Sequence, residues 1–266
     1  MTDLYAVTDL RLSLPDMTRK PAFGSAPMID ILHGLSFTIG KGEVLGIVGG
    51  SGSGKSTLGR VLVRLLEPTG GQVLFDGQDI SHLNEDAIRP LRRRFQMIFQ
   101  DPMSSLNPRR KVGGIIAGPL KLHGFDRISE RVDAALDQVG LSRRFRDRYP
   151  HELSGGQRQR VGIARAIAIE PEFILADEIV SGLDVSSQAQ VLALLSDLVR
   201  DLGLTLAFIS HDLSVIRRLC TRVMVLHQGL IVEHRDTDAL FNAPKADYTR
   251  ELLDAIPLPD PDQVWV

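Results

Sequence analysis

The stretch EVLGIVGGSGSGKST, residues 43–57, decides how this chain is read. Its first part, EVLGIVG (43–49), is short and nearly all apolar, the pattern of a strand buried on both faces. A helical pattern follows over residues 54–66. Between them, GGSGSGKST (49–57) fits G-x-x-x-x-G-K-[ST], with Gly49, Gly54, Lys55 and Ser56 in register. Gly49, Gly50, Gly52 and Gly54, interleaved with Ser51 and Ser53, let successive backbone N–H groups turn inward around phosphate oxygens without Cβ clashes. The helix that opens there adds about half a positive charge at its N-terminus. Lys55 offers a mobile cation to the β- and γ-phosphates, Ser56 a hydroxyl to Mg²⁺, and Thr57 a bond to a phosphate oxygen. A bare glycine-rich turn does not explain both flanking elements.

Outward from this loop, short buried strands alternate with helices. FQMIF (95–99), FILAD (173–177), LTLAFI (204–209) and RVMVL (222–226) read as strands. Residues 129–139, 156–169, 185–202 and 213–219 carry helical patterns. Such alternation predicts an α/β fold with a mostly parallel sheet covered on both faces. Two regions depart from it. Residues 15–30 are rich in Pro, Gly and Ser and read as a flexible loop. Residues 101–170 hold helices but no convincing strand, and read as a helical subdomain inserted between core segments 1–100 and 171–240. The tail, 241–266, carries one short helix at about 246–256.

A net charge of −2 over 266 residues gives no global field for nucleic acid. The local basic runs, Arg92 to Arg94 and Arg109 to Lys111, read as solvated faces. The single cysteine, Cys220, reads as a small buried thiol, with no disulfide or metal-thiolate framework. No apolar run reaches the roughly 18 residues of a membrane span, and the N-terminus lacks the layout of a signal peptide. A cytoplasmic chain, held at a membrane only by partners, is expected.

A phosphate cradle needs an acidic partner. In FILADE the strand carries Asp177 to the sheet edge beside the loop, where one carboxylate holds Mg²⁺. The next acid, Glu178, is placed to orient and deprotonate the attacking water.

The stretch PHELSGGQRQRVGIARAI (150–167) then selects among phosphate-loop families. It resembles the signature of the ATP-binding cassette (ABC) ATPases, and the resemblance covers essentially the whole chain. It implies a RecA-like α/β core with a small antiparallel β portion and an inserted helical subdomain. It implies that Leu153, Ser154, Gly155, Gly156 and Gln157 close over ATP held by a partner cassette, with Ser154 and the glycine amides capping a helix N-terminus. Gln100 in MIFQDP resembles the glutamine that binds Mg²⁺ or water and senses membrane subunits. Asp184 in SGLD resembles the aspartate that reaches across the dimer. His211 in FISHD resembles the histidine on the γ-phosphate. The catalytic set is thus Glu178, His211 and Gln100, and the metal set Ser56, Gln100 and Asp177.

Finer resemblance, in DPMSSLNPR (101–109), GRVLVRLLEPTGGQVLFDG (59–77) and NAPKADYTRELLDAIP (242–257), is to oligopeptide/dipeptide importer ATPases, nearest the second ATPase of such systems. It implies two integral membrane permeases, a second ATPase (a hetero-pair, or a homo-pair), an extracytoplasmic solute-binding protein, and a peripheral place on the cytoplasmic face of the membrane. A soluble cassette uncoupled from transport and a catalytically silent cassette are the other readings. Three positions depart from the family pattern. Ile179 stands where proline commonly follows the acid pair, and Gly182 where alanine is usual. Leu14, before Pro15, stands where an aromatic residue stacks on adenine, a role left either to Phe23 or to no residue at all.

Overall fold

A computed structural model describes residues 2–19 and 24–255. In chain order, β1 (Asp3–Pro15) and β2 (Met28–Gly40) form a long hairpin, and β3 (Val44–Val48) runs into α1 (Lys55–Leu62). Next come β4 (Gly70–Phe75), β5 (Gln78–Asp79), α2 (Glu85–Ile88) and β6 (Phe95–Ile98). Four helices follow without a strand among the described residues: α3 (Pro102–Ser105), α4 (Val112–Leu122), α5 (Ile128–Gln138) and α6 (Gly155–Ile167). The chain continues through β7 (Phe173–Asp177), α7 (Val185–Leu202), β8 (Thr205–Ile209), α8 (Leu213–Leu219), β9 (Arg222–His227) and β10 (Leu230–Asp236). It closes with α9 (Thr237–Asn242) and α10 (Asp247–Asp254).

Six strands form one sheet in the order β10-β9-β3-β8-β7-β6, parallel except for β10 on β9. The other four form an antiparallel sheet in the order β2-β1-β4-β5. Strand side chains alternate between faces, and both faces of the parallel sheet are buried. Val44 and Val48, Ile174 and Ala176, and Leu206 and Phe208 join a core with the helices from α4 to α8. Their neighbours Leu45 and Ile47, Phe173 and Leu175, and Ala207 and Ile209 join a second core with α1 and the antiparallel sheet. This two-sided burial is why β3, β7 and β8 are apolar in sequence apart from Asp177 at the end of β7 and Thr205 at the start of β8. Tyr5 ties the second core together: its ring meets Phe75 and Phe173, and its hydroxyl donates to the Leu62 carbonyl at 3.0 Å.

The five strands and six helices named from sequence are present, with ends differing by a few residues. Two expectations are corrected. Among the described residues of 15–30, part of the expected loop is regular structure: β1 runs through Pro15, a 3₁₀ turn covers Met17–Arg19, and β2 begins at Met28. The Asp16 amide donates to the Pro27 carbonyl at 2.7 Å and closes the connection. Nor is the run from Arg92 to Arg94 solvated throughout: Arg93 is exposed, but its two neighbours are not. Arg92 pairs with Glu85, and Arg94 is three-quarters buried, donating to Glu172 at 2.8 Å and Asp76 at 2.6 Å. Two carboxylates raise the Arg94 pKa, Glu172 more than Asp76. Their reach from distant segments is what sequence proximity did not display. Arg109, Arg110 and Lys111 are exposed as expected.

Candidate nucleotide site

Every residue assigned to the local site leaves the parallel sheet at its carboxyl edge, the edge where open α/β sheets bind ligands. β3 delivers residues 49–57, β6 delivers Gln100, β7 delivers Asp177 and Glu178, and β8 delivers His211. Gly49 (φ 150°), Gly52 (φ 75°) and Gly54 (φ 99°) have positive φ. At Gly49 a Cβ would lie 2.1 Å from the Leu226 carbonyl oxygen, so no other residue fits. Gly54 precedes the first residue of α1. Ser51 and Gly52 are exposed, Ser53 is buried, and Thr57 is half-buried on the first turn of α1.

Lys55 is only 7% exposed. Its ammonium donates to the carbonyls of Gly49 and Gly50, each at 2.8 Å. Burial lowers its pKa, and the nearby Glu178 and Asp177 carboxylates oppose that shift. The side chain is thus folded back over its own loop, held by neutral acceptors that an anionic phosphate outcompetes.

Ser56 Oγ donates to Asp177 Oδ1 at 3.0 Å. Asp177 is 5% exposed, and burial raises its pKa against the pull of the Ser56 hydroxyl. A buried carboxylate joined to a hydroxyl beside a phosphate loop fits Mg²⁺, which takes one or two protein oxygens and completes its shell with phosphates and water. Among the described residues no cluster of three or more His, Cys, Asp or Glu side chains forms a self-sufficient metal cage.

Glu178 sits between the two remaining polar groups. Its Oε2 accepts from Gln100 Nε2 at 2.9 Å, and its Oε1 lies 3.7 Å from His211 Nδ1. The Glu178 backbone is in the left-handed region at φ 49°, a conformation that costs a non-glycine residue roughly 1 kcal/mol or more. The fold holds it there: the Glu178 amide donates to the Ile209 carbonyl at 3.0 Å, and the Ser181 hydroxyl and amide both donate back to the Glu178 carbonyl. Ile179 points the other way, 1% exposed within the helix-side core. Isoleucine there fills the core.

The signature residues form a separate constellation. Ser154 caps α6: its hydroxyl accepts from the Gln157 amide at 3.3 Å, and the Gln157 side chain accepts from the Ser154 amide at 3.0 Å. Leu153 is buried, while Gly155 and Gly156 pack toward Leu183 and Ser187. Asp184 caps α7, accepting from the Ser187 amide and hydroxyl, and these bonds lower its pKa. A cavity of about 240 Å³ opens among Ser154, Gly156, Gln157, Arg160, Ser187 and Gln190. Among the described residues, no hydrogen bond or ion pair joins this constellation to residues 49–57. Gly182 has φ 78° with open space around it, so alanine would be strained by backbone alone.

Leu14 is half-buried in β1 against the second core. Phe23 lies outside the described residues. Cys220 is buried, and burial pushes its thiol up. One contributor was not read from sequence. Gly229, in the β9–β10 turn, donates its amide to the Ser53 carbonyl at 3.1 Å and accepts from the His33 amide at 3.0 Å, stitching the phosphate loop to the antiparallel sheet. Only the HQG tripeptide at 227–229, a glycine between two strand-like runs, signals it.

Comparison with known proteins agrees with this geometry. Residues 32–181 match the ABC transporter family. A putative peptide import ATP-binding protein of Brucella ovis is 53% identical over 237 residues, covering 88% of this chain and 75% of that protein. The oligopeptide transport ATP-binding protein OppF of Bacillus subtilis is 51% identical over 233 residues, 86% of this chain and 76% of that one. Among solved structures, a dimeric ATP-binding cassette in a post-hydrolysis state with ADP and Pi superposes with a TM-score of 0.76 at 28% identity, covering 88% of this chain and 98% of that chain. The cbiO1 protein of Clostridium perfringens, part of an ABC transporter complex, gives 0.79 at 28% identity, with 97% of each chain covered. This chain belongs to the ABC transporter family, as one of its ATP-hydrolysing cassettes.

Proposed function

We propose that the chain is the ATPase subunit of an importer for peptides or a related small solute. The observation that carries the catalytic part is Glu178, held between Gln100 and His211 beside the buried Asp177–Ser56 pair. In this reading residues 49–54 cradle the phosphates, and Lys55 leaves its carbonyls for the β- and γ-phosphates. Ser56, Gln100 and Asp177 hold Mg²⁺, which when bound neutralises charge on the phosphates. Glu178 orients water and takes its proton, Gln100 fixes the Glu178 carboxylate, and His211 donates to the γ-phosphate. Thr57 binds a phosphate oxygen.

The separation of residues 153–157 and 184 from the phosphate loop supports their use in trans. Two cassettes close head to tail, each completing the other's site. The second cassette is a different ATPase or a copy of this chain. Segments 1–100 and 171–240 act as the core, 101–170 as the helical subdomain that contacts permeases, and 241–266 as the importer-type tail. Peptide as cargo is supported by the names of the relatives above. Among the described residues no helix is long and apolar enough to cross a membrane. Attachment then rests on two permease subunits at the cytoplasmic face, served by an extracytoplasmic solute-binding protein.

The test is isolation of the tagged chain from its native membranes in mild detergent. Two integral membrane proteins, a second cassette and peptide-stimulated ATP hydrolysis are expected. Recovery of the chain alone, or with nucleic acid, would overturn the transport reading.

A further inference from the structure

We propose that Tyr248, on the tail helix α10, is a positioning residue of the phosphate loop: its hydroxyl fixes the peptide group joining Gly49 to Gly50 and thereby holds the start of the loop in the shape that receives phosphate. The inference rests on residues 49–57 being the ATP cradle. The Gly50 amide donates to Tyr248 Oη at 2.8 Å, across 198 residues of sequence. The carbonyl of that same peptide group, on Gly49, accepts from Lys55 Nζ at 2.8 Å. A trans peptide is planar, with its C=O and N–H pointing in opposite directions. One rigid unit is therefore gripped on both edges, by the tail on one side and by the phosphate-loop lysine on the other. Glycine on both sides of this peptide leaves its orientation without local bias, so the bias comes from the partners.

The tyrosine is itself well held. Its ring lies against His227 at the end of β9, with centroids 3.8 Å apart. The start of α10 is clamped by Glu233 of β10, a 7%-exposed carboxylate that accepts from the amides of Lys245 and Ala246, each at 3.0 Å. Arg235 adds a bond to the Ala243 carbonyl at 2.8 Å. The contact also explains glycine at position 50: a Cβ there would sit 2.9 Å from Tyr248 Oη. Farther along, Leu252 and Ala255 wall a cavity of about 500 Å³ whose other side is Gly49 and His211. The tail thus borders the nucleotide site.

The experiment measures MgATP affinity and thermal midpoint of the purified full chain for wild type, Tyr248→Phe and Tyr248→Leu. Phenylalanine keeps the ring on His227 and removes only the acceptor. The expected result is about 5-fold weaker MgATP binding by Tyr248→Phe, with an unchanged thermal midpoint. Tyr248→Leu should lose at least as much affinity and lower its midpoint as well. If it fails to fold, the phenylalanine variant alone decides. A phenylalanine variant that binds as tightly as wild type overturns the inference, because then the ring merely packs the tail. So does one whose affinity falls only together with its midpoint. Failure of the wild type to bind MgATP overturns the cradle itself and the inference with it.

Discussion

Gln100 donates a 2.9 Å hydrogen bond to the carboxylate of Glu178, across 78 residues and two adjacent strands. The bond ties the proposed water-activating carboxylate to the segment that follows β6. A displacement of Gln100 would therefore act directly on the Glu178 carboxylate.

Glu178→Gln keeps the shape but removes the proposed base. ATP binding is expected to persist while turnover falls about 100-fold or more, read as phosphate release by the assembled complex. Undiminished turnover would assign the base elsewhere.

Lys55→Ala removes the only ammonium hydrogen-bonded to the loop among the described residues. A charge-assisted bond to phosphate is then missing, so ATP affinity is expected to drop about 10-fold or more. Titration calorimetry of the purified chain decides it, and equal affinities would place the phosphates away from Lys55.

Asp177 titrates above its ordinary range because it is buried. Its folded-state pKa exceeds the unfolded 3.8, so the folded state binds the proton more tightly, and stability from this group is lost as pH rises through that window. Asp177→Asn is therefore expected to melt higher than wild type at neutral pH without nucleotide. The advantage should shrink as pH falls toward 3.8. A mutant less stable at neutral pH would show that the Ser56 bond outweighs desolvation.

Ile179→Pro exchanges a fully buried side chain for a smaller one. A loss of about 1–3 kcal/mol in stability is expected from the core, with turnover changed only a few-fold because the Ile179 side chain touches no reacting group. Chemical denaturation and phosphate release separate the two effects, and a large gain in turnover would mean that the turn, rather than the core, is what isoleucine alters.

Ser154→Ala removes the cap of α6, at a cost of about 1 kcal/mol. If Ser154 serves a partner's nucleotide, ATP binding by the isolated chain stays the same while turnover of the paired cassettes falls. Weaker binding by the isolated chain would put Ser154 in its own site instead.

The sequence by itself determined the phosphate loop, the acid pair, the signature and the five buried strands, because each is written in contiguous residues whose spacing carries its own physics. Short strands such as β3, β7 and β8 are buried on both faces, and their runs of apolar residues show it in sequence. Tertiary structure decided the rest. The long strand β1 was not legible because register shifts at several points and a left-handed Asp9 break its alternation. Arg94 looked solvated until Glu172 and Asp76 met it from distant segments. Ile179 read as a departure in the turn until its side chain was found in the core. Tyr248 was one residue of a tail pattern, and only the fold sets its hydroxyl on the Gly50 amide. Local geometry follows from neighbours in the chain, whereas contacts across nearly 200 residues exist only once the sheet has brought both ends to one edge.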